Sequence, residues 1–348
     1  MPPLVTVLMS VHNGRAFLPA ALDAILHQTL TDLEFIVIDD GSSDDTWELI
    51  SARASADARL RPLRNPGNLG LTRSLNRGLE LAQGRYLARQ DVDDESLPNR
   101  LAEQVAFLEA HPAVVLLGTW AARMDGAGRA IAGLGREPAT DRAIRRKMLL
   151  ANAFFHTSVL LRREVLTGHG LAYDPSLPCA QDYDLWSRLL TLGQGANLPQ
   201  PLVRFRTHPG QISAARAGEQ RQVADRVAWA NLVRAGLADE FTPAQVSLLR
   251  RLAIESPPLS PTQRREQFAG LTRLIRLVEA RDPAPDPEWE RVKGQWLTDA
   301  RRYLFTAPQS LADLRARAAI AAADPVGAMA DAGAWLTRAI RNRLPRRG

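Results

Sequence analysis

The sequence predicts an α/β sandwich around a mostly parallel sheet, followed by an all-helical C-terminal region. Three observations predict this fold class. Short apolar runs of strand length alternate with segments of helical period through the first half of the chain. Polar, glycine-containing loops follow several of these runs, as loops do at the carboxyl ends of parallel strands. Strand patterns stop near residue 213, and the remaining chain has helical periodicity with proline-containing breaks.

Each element of the predicted sheet has its own support in the pattern. Strands are expected where apolar residues run together, at residues 4–9, 34–38, 60–63, 86–88, 114–117, 158–161 and 203–206. Helices are expected where apolar residues recur at helical spacing, around residues 18–26, 47–50, 71–84, 101–108, 144–148 and 181–190. The segment 125–128, Asp-Gly-Ala-Gly, favours a hairpin turn, and Thr140 is expected to cap the next helix. The alternation predicts helices on both faces of the sheet.

The C-terminal region is expected to form four helical blocks, at residues 216–252, 261–280, 287–305 and 310–340. Near its end, residues 335–344 group apolar residues and arginines at helical spacing. This is the pattern of an interfacial amphipathic helix, and equally that of an arginine-rich helix end in solvent. With the chain length of 348 residues, the change of pattern predicts two domains, residues 1–213 and 214–348.

Composition and charge limit the classes of protein to consider. The single cysteine, Cys179, excludes an internal disulfide, and no apolar run approaches the roughly 20 residues of a membrane-spanning helix. No signal-peptide pattern opens the chain, so a cytoplasmic location is expected. Residues 1–213 contain 22 basic and 23 acidic side chains, a net charge of −1, whereas residues 214–348 contain 22 and 15, a net charge of +7. The basic region is therefore expected to serve acceptor docking, oligomerisation or peripheral contact with a membrane surface.

Four acidic residues crowd together directly after the apolar run 86–88: Asp91, Asp93, Asp94 and Glu95. Their mutual repulsion is expected to raise at least one pKa, and a bound Mg²⁺ or Mn²⁺ is the usual remedy because carboxylates suit these ions. The alternative is a solvated acidic turn, with Ser96 as the N-cap of a helix that Pro98 begins. The pattern alone leaves both interpretations open.

A second acidic loop follows the predicted strand 34–38. Ser43, Asp44 and Asp45 stand where they can cap the next helix, and capping is the expected role of Asp44. Asp39 and Asp40 precede Gly41 and come too early to cap. Because open α/β sheets bind ligands at the carboxyl ends of their strands, these two acids are expected to meet a ligand.

Six segments, taken in order, resemble family 2 glycosyltransferases with the GT-A (Rossmann-like) fold. They are residues 10–14 (SVHNG), 39–44 (DDGSSD), 76–79 (NRGL), 88–94 (ARQDVDD), 181–186 (QDYDLW) and 206–208 (RTH). The resemblance covers about residues 4–213. It implies a nucleotide-sugar donor, usually a UDP- or dTDP-sugar, a divalent metal ion, and transfer with inversion to an acceptor hydroxyl of a glycan or lipid-linked glycan. Bacterial surface polysaccharide synthesis is the expected setting.

The resemblance also implies roles for individual residues. Asp40 is expected to accept the pyrimidine N3–H, with Ser10 and His12 beside the base and ribose. Asp91 is expected to contact the ribose and sugar, and Asp93 to ligate Mn²⁺ or Mg²⁺. Among cations, Arg73 or Arg89 is expected to help stabilise the departing diphosphate. His208 is expected to be a second metal ligand or a diphosphate contact.

Asp182 corresponds to the catalytic base of the family, which takes the proton of the acceptor hydroxyl. The alternative is a helix-capping aspartate, because Asp is common at helix starts. Two residues depart from the family pattern: Gln181 replaces a common Glu, and His12 replaces a frequent Tyr. Gln181 puts the acceptor geometry in doubt. His156, which precedes the strand 158–161, is expected to be a buried, hydrogen-bonded histidine.

Three other functions are less well supported by the sequence. A nucleotidyltransferase would carry a glycine-rich, basic phosphate loop after its first strand, and residues 10–15 are a poor version of one. A dinucleotide oxidoreductase would carry G-x-G-x-x-G there, and this motif is missing. A non-catalytic protein that binds nucleic acid or membrane through its basic region remains an alternative. Nucleic acid is not the expected partner, because the basic residues lack interleaved aromatic residues.

Overall fold

A computed structural model describes residues 2–211, 215–254, 260–301 and 311–332 of the chain. The chain divides into two compact units, residues 1–148 with 152–227, and residues 149–151 with 228–348. The boundary after residue 213 that the sequence suggested stays a prediction.

The first unit contains one mixed sheet in the described residues. Its strands are β1 (Val5–Val11), β2 (Leu33–Asp39), β3 (Leu60–Arg64), β4 (Tyr86–Arg89), β5 (Glu95–Ser96), β6 (Val114–Asp125), β7 (Ala130–Gly135), β8 (Leu160–Arg162) and β9 (Gln194–Thr207). The strand order is β3-β2-β1-β4-β8-β6-β9-β5, and β7 pairs with β6. Strands β1 to β4 are parallel to one another, whereas β8 pairs antiparallel with both β4 and β6. The predicted mostly parallel sheet is confirmed, and the antiparallel pairings of β8 make it mixed.

The helices of this unit cover both faces of the sheet. They are α1 (Leu18–Leu26), α2 (Thr46–Ala56), α3 (Leu71–Leu81), α4 (Arg100–Ala110), α5 (Asp141–Met148), α6 (Arg163–Gly168) and α7 (Gln181–Leu189). Alternate residues of β1, Val5, Val7 and Met9, share a core with α1 and α4. Leu8 faces the other way, and α3 packs so closely there that a Cβ on Gly78 would lie 2.9 Å from a Leu8 methyl. Because β1 and β2 are buried on both faces, their sequences are mainly apolar.

The parallel arrangement sets the position of the site. Strand β1 lies between β2 and β4, so the carboxyl ends of all three meet at one edge of the sheet. The chain order also reverses at β1, with β2 on one side and β4 on the other. Crevices at such a reversal are where open α/β sheets bind ligands.

The acidic cluster is not the solvated helix cap that the sequence allowed. Ser96 is buried and belongs to β5, which pairs antiparallel with β9, and helix α4 begins only at Arg100, after Asn99. The predicted hairpin at residues 125–128 joins β6 to β7, and Thr140 accepts a hydrogen bond from the Ala143 N–H, so both of these predictions are confirmed. At Ser96, the pairing of β5 with β9, which local sequence does not encode, therefore overrides the capping pattern.

In the second unit the described residues form helices α8 (Ala217–Arg234, which begins in the first unit), α9 (Pro243–Ile254), α10 (Pro261–Arg281), α11 (Pro287–Arg301) and α12 (Leu311–Ala323), with further helical backbone at 325–332. The helical block expected over 216–252 contains two helices, α8 and α9, and not one continuous helix. Gly236 adopts φ +67°, and its N–H and that of Leu237 bond back to carbonyls of α8, which ends the helix. The segment 335–344 lies outside the described residues.

No helix in the described ranges is both long and apolar enough to cross a membrane. Membrane-surface contact by the basic region, oligomerisation and a cytoplasmic location stay predictions.

Candidate active site

A cavity of about 720 Å³ opens at the edge of the sheet where β1, β2 and β4 end. Seven of the nine predicted site residues line it: Ser10, His12, Asp40, Arg73, Asp91, Asp93 and His208. The volume is in the range of small-molecule sites in proteins. The structure therefore brings together residues that are nearly 200 positions apart in the chain.

Asp40 organises one wall of this cavity. Its Oδ1 accepts hydrogen bonds from Asn65 Nδ2 (2.7 Å) and the Leu69 N–H (2.8 Å), and its Oδ2 accepts one from the Gly70 N–H (2.9 Å). A carboxylate oxygen has two lone pairs, so Oδ2 retains capacity for one further donor. Asp39 is fully buried, where it accepts the Ser42 N–H and pairs with Arg64, so it does not meet a ligand as expected.

His12 lies against Asp40 in a fixed orientation. Its Nδ1 is 3.0 Å from the Asp40 carbonyl oxygen, which can only accept, so Nδ1 carries the hydrogen. In the neutral ring Nε2 is then an acceptor, and the Asn13 amide lies 3.4 Å from it. Asn13 itself adopts φ +51°, a left-handed conformation that Asn tolerates better than most residues. The His-Asn-Gly sequence thus turns the chain sharply at the end of β1.

Asp91 lies between the side chains of Arg89 and His156. Its Oδ1 is 2.5 Å from Arg89 Nη2, and its Oδ2 is 3.9 Å from His156 Nδ1. Arg89 is buried behind the acidic turn, where it also donates to the Leu8 carbonyl, and it is not among the described residues that line the cavity. Arg89 therefore positions Asp91, and Arg73 is the arginine of the predicted pair that faces the cavity.

Asp93 and His208 form a close pair, with His208 Nε2 3.1 Å from Asp93 Oδ2. Burial and the neighbouring charge of Asp91 raise the pKa of Asp93, and the bond from His208 partly opposes that rise. The ring of Phe17 packs 5.0 Å from the His208 ring. A partly buried carboxylate with a raised pKa is a group whose charged form a cation would stabilise.

Strand β9 holds the acidic turn in place from the other side. The Arg206 N–H donates to Asp94 Oδ1 (2.8 Å), and Arg206 Nε donates to the Asp93 carbonyl (2.7 Å). Asp94 is buried, and burial together with the charges of Asp93 and Asp91 raises its pKa well above the usual value. Asp94 thus serves the structure of the turn, while Asp91 and Asp93 face the cavity.

Beneath the turn lies Arg100, which is fully buried. Its guanidinium makes five hydrogen bonds, to the side chains of Gln104, Gln90 and Ser96 and to the carbonyls of residues 89 and 159. Gln90 in turn donates to the carbonyls of Asp91 and Asp94. Burial, together with the nearby charge of Arg89, lowers the pKa of Arg100 to about 9. The acidic turn therefore rests on a fully satisfied polar network.

The donor set for a divalent ion consists of one carboxylate and one imidazole. No group of three or more His, Cys, Asp or Glu side chains in the described part of the chain is arranged to hold a metal ion. Asp93 and His208 nevertheless fit two positions of an ion whose remaining ligands come from a bound diphosphate or water. An imidazole among the ligands suits Mn²⁺ better than Mg²⁺, which prefers oxygen. His208 can bind an ion through Nε2 only when that nitrogen carries no proton.

Asp182 lies in the first turn of α7, half-buried, and is not among the described residues that line the cavity. The loop that leads to Asp182 does line the cavity, through Pro175 and Pro178. Thr72 Oγ1 donates to the Leu177 carbonyl (2.8 Å), which fastens this loop to α3. Burial and the charge of Arg89 lower the pKa of His156, and the charges of Asp91 and Asp182 partly oppose that fall.

His156 is confirmed as a largely buried, hydrogen-bonded histidine, with Nε2 3.1 Å from the Tyr173 hydroxyl. Sequence reasoning missed several lining residues, among them Phe17, Asn68, Thr72 and Arg216. It also missed Asn152, whose Nδ2 lies 2.7 Å from Asp182 Oδ2. A signal existed for residues 65–70, Asn-Pro-Gly-Asn-Leu-Gly, whose turn-forming composition marks a loop at a strand end.

Comparison with known proteins shows the family to which the chain belongs. The family model described as glycosyl transferase family 2 matches residues 6–169. An uncharacterised glycosyltransferase of Haemophilus influenzae is 30% identical over 237 residues, which are 66% of this chain and 73% of that protein. The amylovoran biosynthesis glycosyltransferase AmsE of Erwinia amylovora is 31% identical over 216 residues, 61% of this chain and 80% of that protein. The chain belongs to glycosyl transferase family 2.

The fold is also that of a solved glycosyltransferase. The crystal structure of S. aureus TarS 1–349 in complex with UDP-GlcNAc matches with a TM-score of 0.58 at 16% identity, covering 91% of this chain and 90% of that one. In the longer TarS structure the match spans 56% of that chain, with a TM-score of 0.57. Family membership favours glycosyl transfer over the nucleotidyltransferase and the non-catalytic alternatives.

Proposed function

We propose that the protein is an inverting, metal-dependent glycosyltransferase that moves a sugar from a UDP- or dTDP-sugar to a hydroxyl group of a glycan or lipid-linked glycan. One observation carries the proposal: Asp40, which follows β2, and Asp93, which follows β4, line the same cavity. A nucleotide-sugar has a base at one end and a diphosphate in the middle. Its site therefore needs a contact for the base, beside Asp40, and a contact for the diphosphate, beside Asp93.

The base of the donor binds beside His12 and Asp40. Asp40 Oδ2 has room for one donated hydrogen bond, which the N3–H of uracil or thymine supplies, and the imidazole of His12 offers a flat face for stacking. TarS has this fold and binds UDP-GlcNAc, which makes UDP-sugars the first donors to test. AmsE belongs to amylovoran biosynthesis, which supports a role in surface polysaccharide synthesis.

The diphosphate binds beside Arg73, Asp93 and His208. Asp93 and His208 hold Mn²⁺ or Mg²⁺, whose charge stabilises the departing diphosphate when the ion is bound. Arg73 is exposed at the cavity wall and has no hydrogen-bond or ion-pair partner among the described residues. Its guanidinium is therefore available to bind phosphate oxygens.

Asp182 takes the proton from the acceptor hydroxyl as that oxygen attacks the anomeric carbon. A carboxylate at this position acts as a general base, and a reaction with one base and no nucleophile on the enzyme inverts the configuration at that carbon. Asp91, held by Arg89, contacts the donor sugar or ribose.

A thermal-shift screen of nucleoside diphosphates and sugar nucleotides, with and without Mn²⁺, tests the proposal. A ligand at one hundred times its Kd stabilises the folded state by about 2.7 kcal/mol, which raises Tm by roughly 5–10 °C in a domain of this size. We expect UDP or dTDP compounds to raise Tm by this amount only when Mn²⁺ is present. In Asp93→Ala, this Mn²⁺-dependent rise in Tm should disappear. If no nucleoside diphosphate or sugar nucleotide moves Tm under either condition, the proposed donor class is wrong.

A further inference from the structure

Asn152 makes a directed hydrogen bond to the proposed catalytic base. Its Nδ2 lies 2.7 Å from Asp182 Oδ2, and Asn152 is the one side chain in the described ranges that hydrogen-bonds this carboxylate. The two residues are 30 positions apart and belong to the same unit of the fold. The second carboxylate oxygen, Oδ1, is left for another partner.

The orientation of the Asn152 amide is set by a second hydrogen bond. Its Oδ1 accepts the N–H of Phe154 at 3.1 Å. Because a backbone N–H can only donate, the atom that faces it must be the amide oxygen, and the NH₂ group must then face Asp182. The geometry thus fixes the amide as a donor toward the carboxylate.

The backbone before α7 also contributes to the position of Asp182. Ala180, directly before α7, adopts φ +51°, a left-handed conformation that is uncommon for alanine and that turns the chain sharply into the helix. Asp182 follows in the first helical turn, where the helix dipole favours a negative charge. Asp182 Oδ2 accepts the hydrogen bond from Asn152, and Oδ1 is left to accept the proton of an acceptor hydroxyl.

We propose that Asn152 is a positioning residue for the base: it holds one oxygen of Asp182 and directs the other oxygen to the acceptor hydroxyl. This inference rests on the proposed function, because it takes Asp182 as the base. A hydrogen bond donated to a carboxylate stabilises the ionised form, so losing it makes the base protonate more readily. The rate at low pH should then fall.

Asn152→Asp tests the role with little change of shape. The new carboxylate still accepts the Phe154 N–H, but it presents a repelling oxygen to Asp182 in place of a donor. The assay is release of nucleoside diphosphate from the sugar nucleotide that the thermal-shift screen identifies, measured as kcat against pH. We expect the acid limb of the profile to move up by about one pH unit, a tenfold change in the protonated fraction of the base at a given pH. The KM for the donor should change little.

Asn152→Ala removes the donor without adding charge and should move the acid limb in the same direction by less. It also serves as the second variant if Asn152→Asp lowers Tm. Asn76→Ala is the matched control, because Asn76 also makes two hydrogen bonds, both to the backbone of Tyr173, and has no bond to Asp182.

The outcomes separate this inference from the proposed function. If Asp182→Asn is inactive while the profiles of both Asn152 variants overlay that of the wild type, the positioning role is wrong and the base assignment stands. If Asp182→Asn turns over like the wild type, the base assignment itself is wrong. If the Asn76→Ala profile moves as far as that of Asn152→Ala, the effect is a general one on folding, and the inference fails.

Discussion

Asp182→Asn is expected to lower the turnover of the sugar nucleotide about 10²–10⁴-fold, the usual contribution of a general base. Asparagine keeps the shape of the side chain and can still hydrogen-bond Asn152, but it cannot take a proton from the acceptor hydroxyl. Because Asp182 does not line the cavity that holds Asp40 and Asp93, the affinity for the nucleoside diphosphate should stay near that of the wild type. Steady-state kinetics and calorimetric titration with the nucleotide measure the two effects.

Asp184→Asn is the matched control for this experiment. Asp184 lies in the same first turn of α7, but its carboxylate pairs with Arg188 at 2.7 Å. The same chemical change two residues away should leave turnover close to the wild-type value. An Asp182→Asn variant with wild-type turnover, or an equal loss in both variants, would rule out Asp182 as the base.

Arg100→Met is expected to destabilise the first unit, by about 1–3 kcal/mol for each buried acceptor that is left without a donor. The change removes the Arg100 donor from the buried side-chain oxygen of Gln104, while the side-chain oxygen of Gln90 keeps only its hydrogen bond from Ser96. Urea unfolding measures the loss. Because Gln90 supports the backbone of Asp91 and Asp94, a weakened network should also lower the affinity for the nucleotide in the presence of Mn²⁺.

Arg129→Met serves as the control for Arg100→Met, since it makes the same substitution at an exposed hairpin arginine whose ion pair with Asp125 is at the surface. Surface ion pairs contribute little to stability. Arg100→Lys is a further variant: its ammonium cannot replace five directed donors, so most of the destabilisation should remain. An Arg100→Met variant as stable as Arg129→Met would show that the network is not required for folding.

The centre of the sheet could be predicted because its residues are buried on both faces. β1 and β2 are mainly apolar, and polar residues lie at the carboxyl end of each. Parallel pairing makes those ends meet, so the sequence pattern alone places Ser10, Asp40 and Asp91 near one another. Residues 10–14, 39–44 and 88–94, at the ends of these strands, are three of the six segments that resemble the family.

The second half of the sheet was predicted less well for a physical reason. β9 extends over 14 residues, whereas only residues 203–206 were expected, because Pro199 and Pro201 argue against a strand. Both prolines lie where the register of β9 against β6 shifts, a place that tolerates a missing N–H. β5 has only two residues, neither apolar enough to form a strand pattern, and it exists because β9 pairs with it.

The support of the site could not be read from the sequence either. Nothing near Asn152 marks it as the partner of Asp182, and nothing near Arg89 shows that it lies behind Asp91 while Arg73 lines the cavity. These contacts join residues distant in the chain, or depend on which face of a turn points inward. Motifs identify the residues that meet a ligand more readily than those that hold them in place.

The most direct test of the account is a crystal structure of the protein with Mn²⁺ and the nucleoside diphosphate that the thermal-shift screen identifies. We expect the base beside His12 and Asp40, and the ion between the diphosphate and Asp93. A nucleotide bound away from this cavity, or an ion held without Asp93, would contradict the claim that these carboxylates form one donor site.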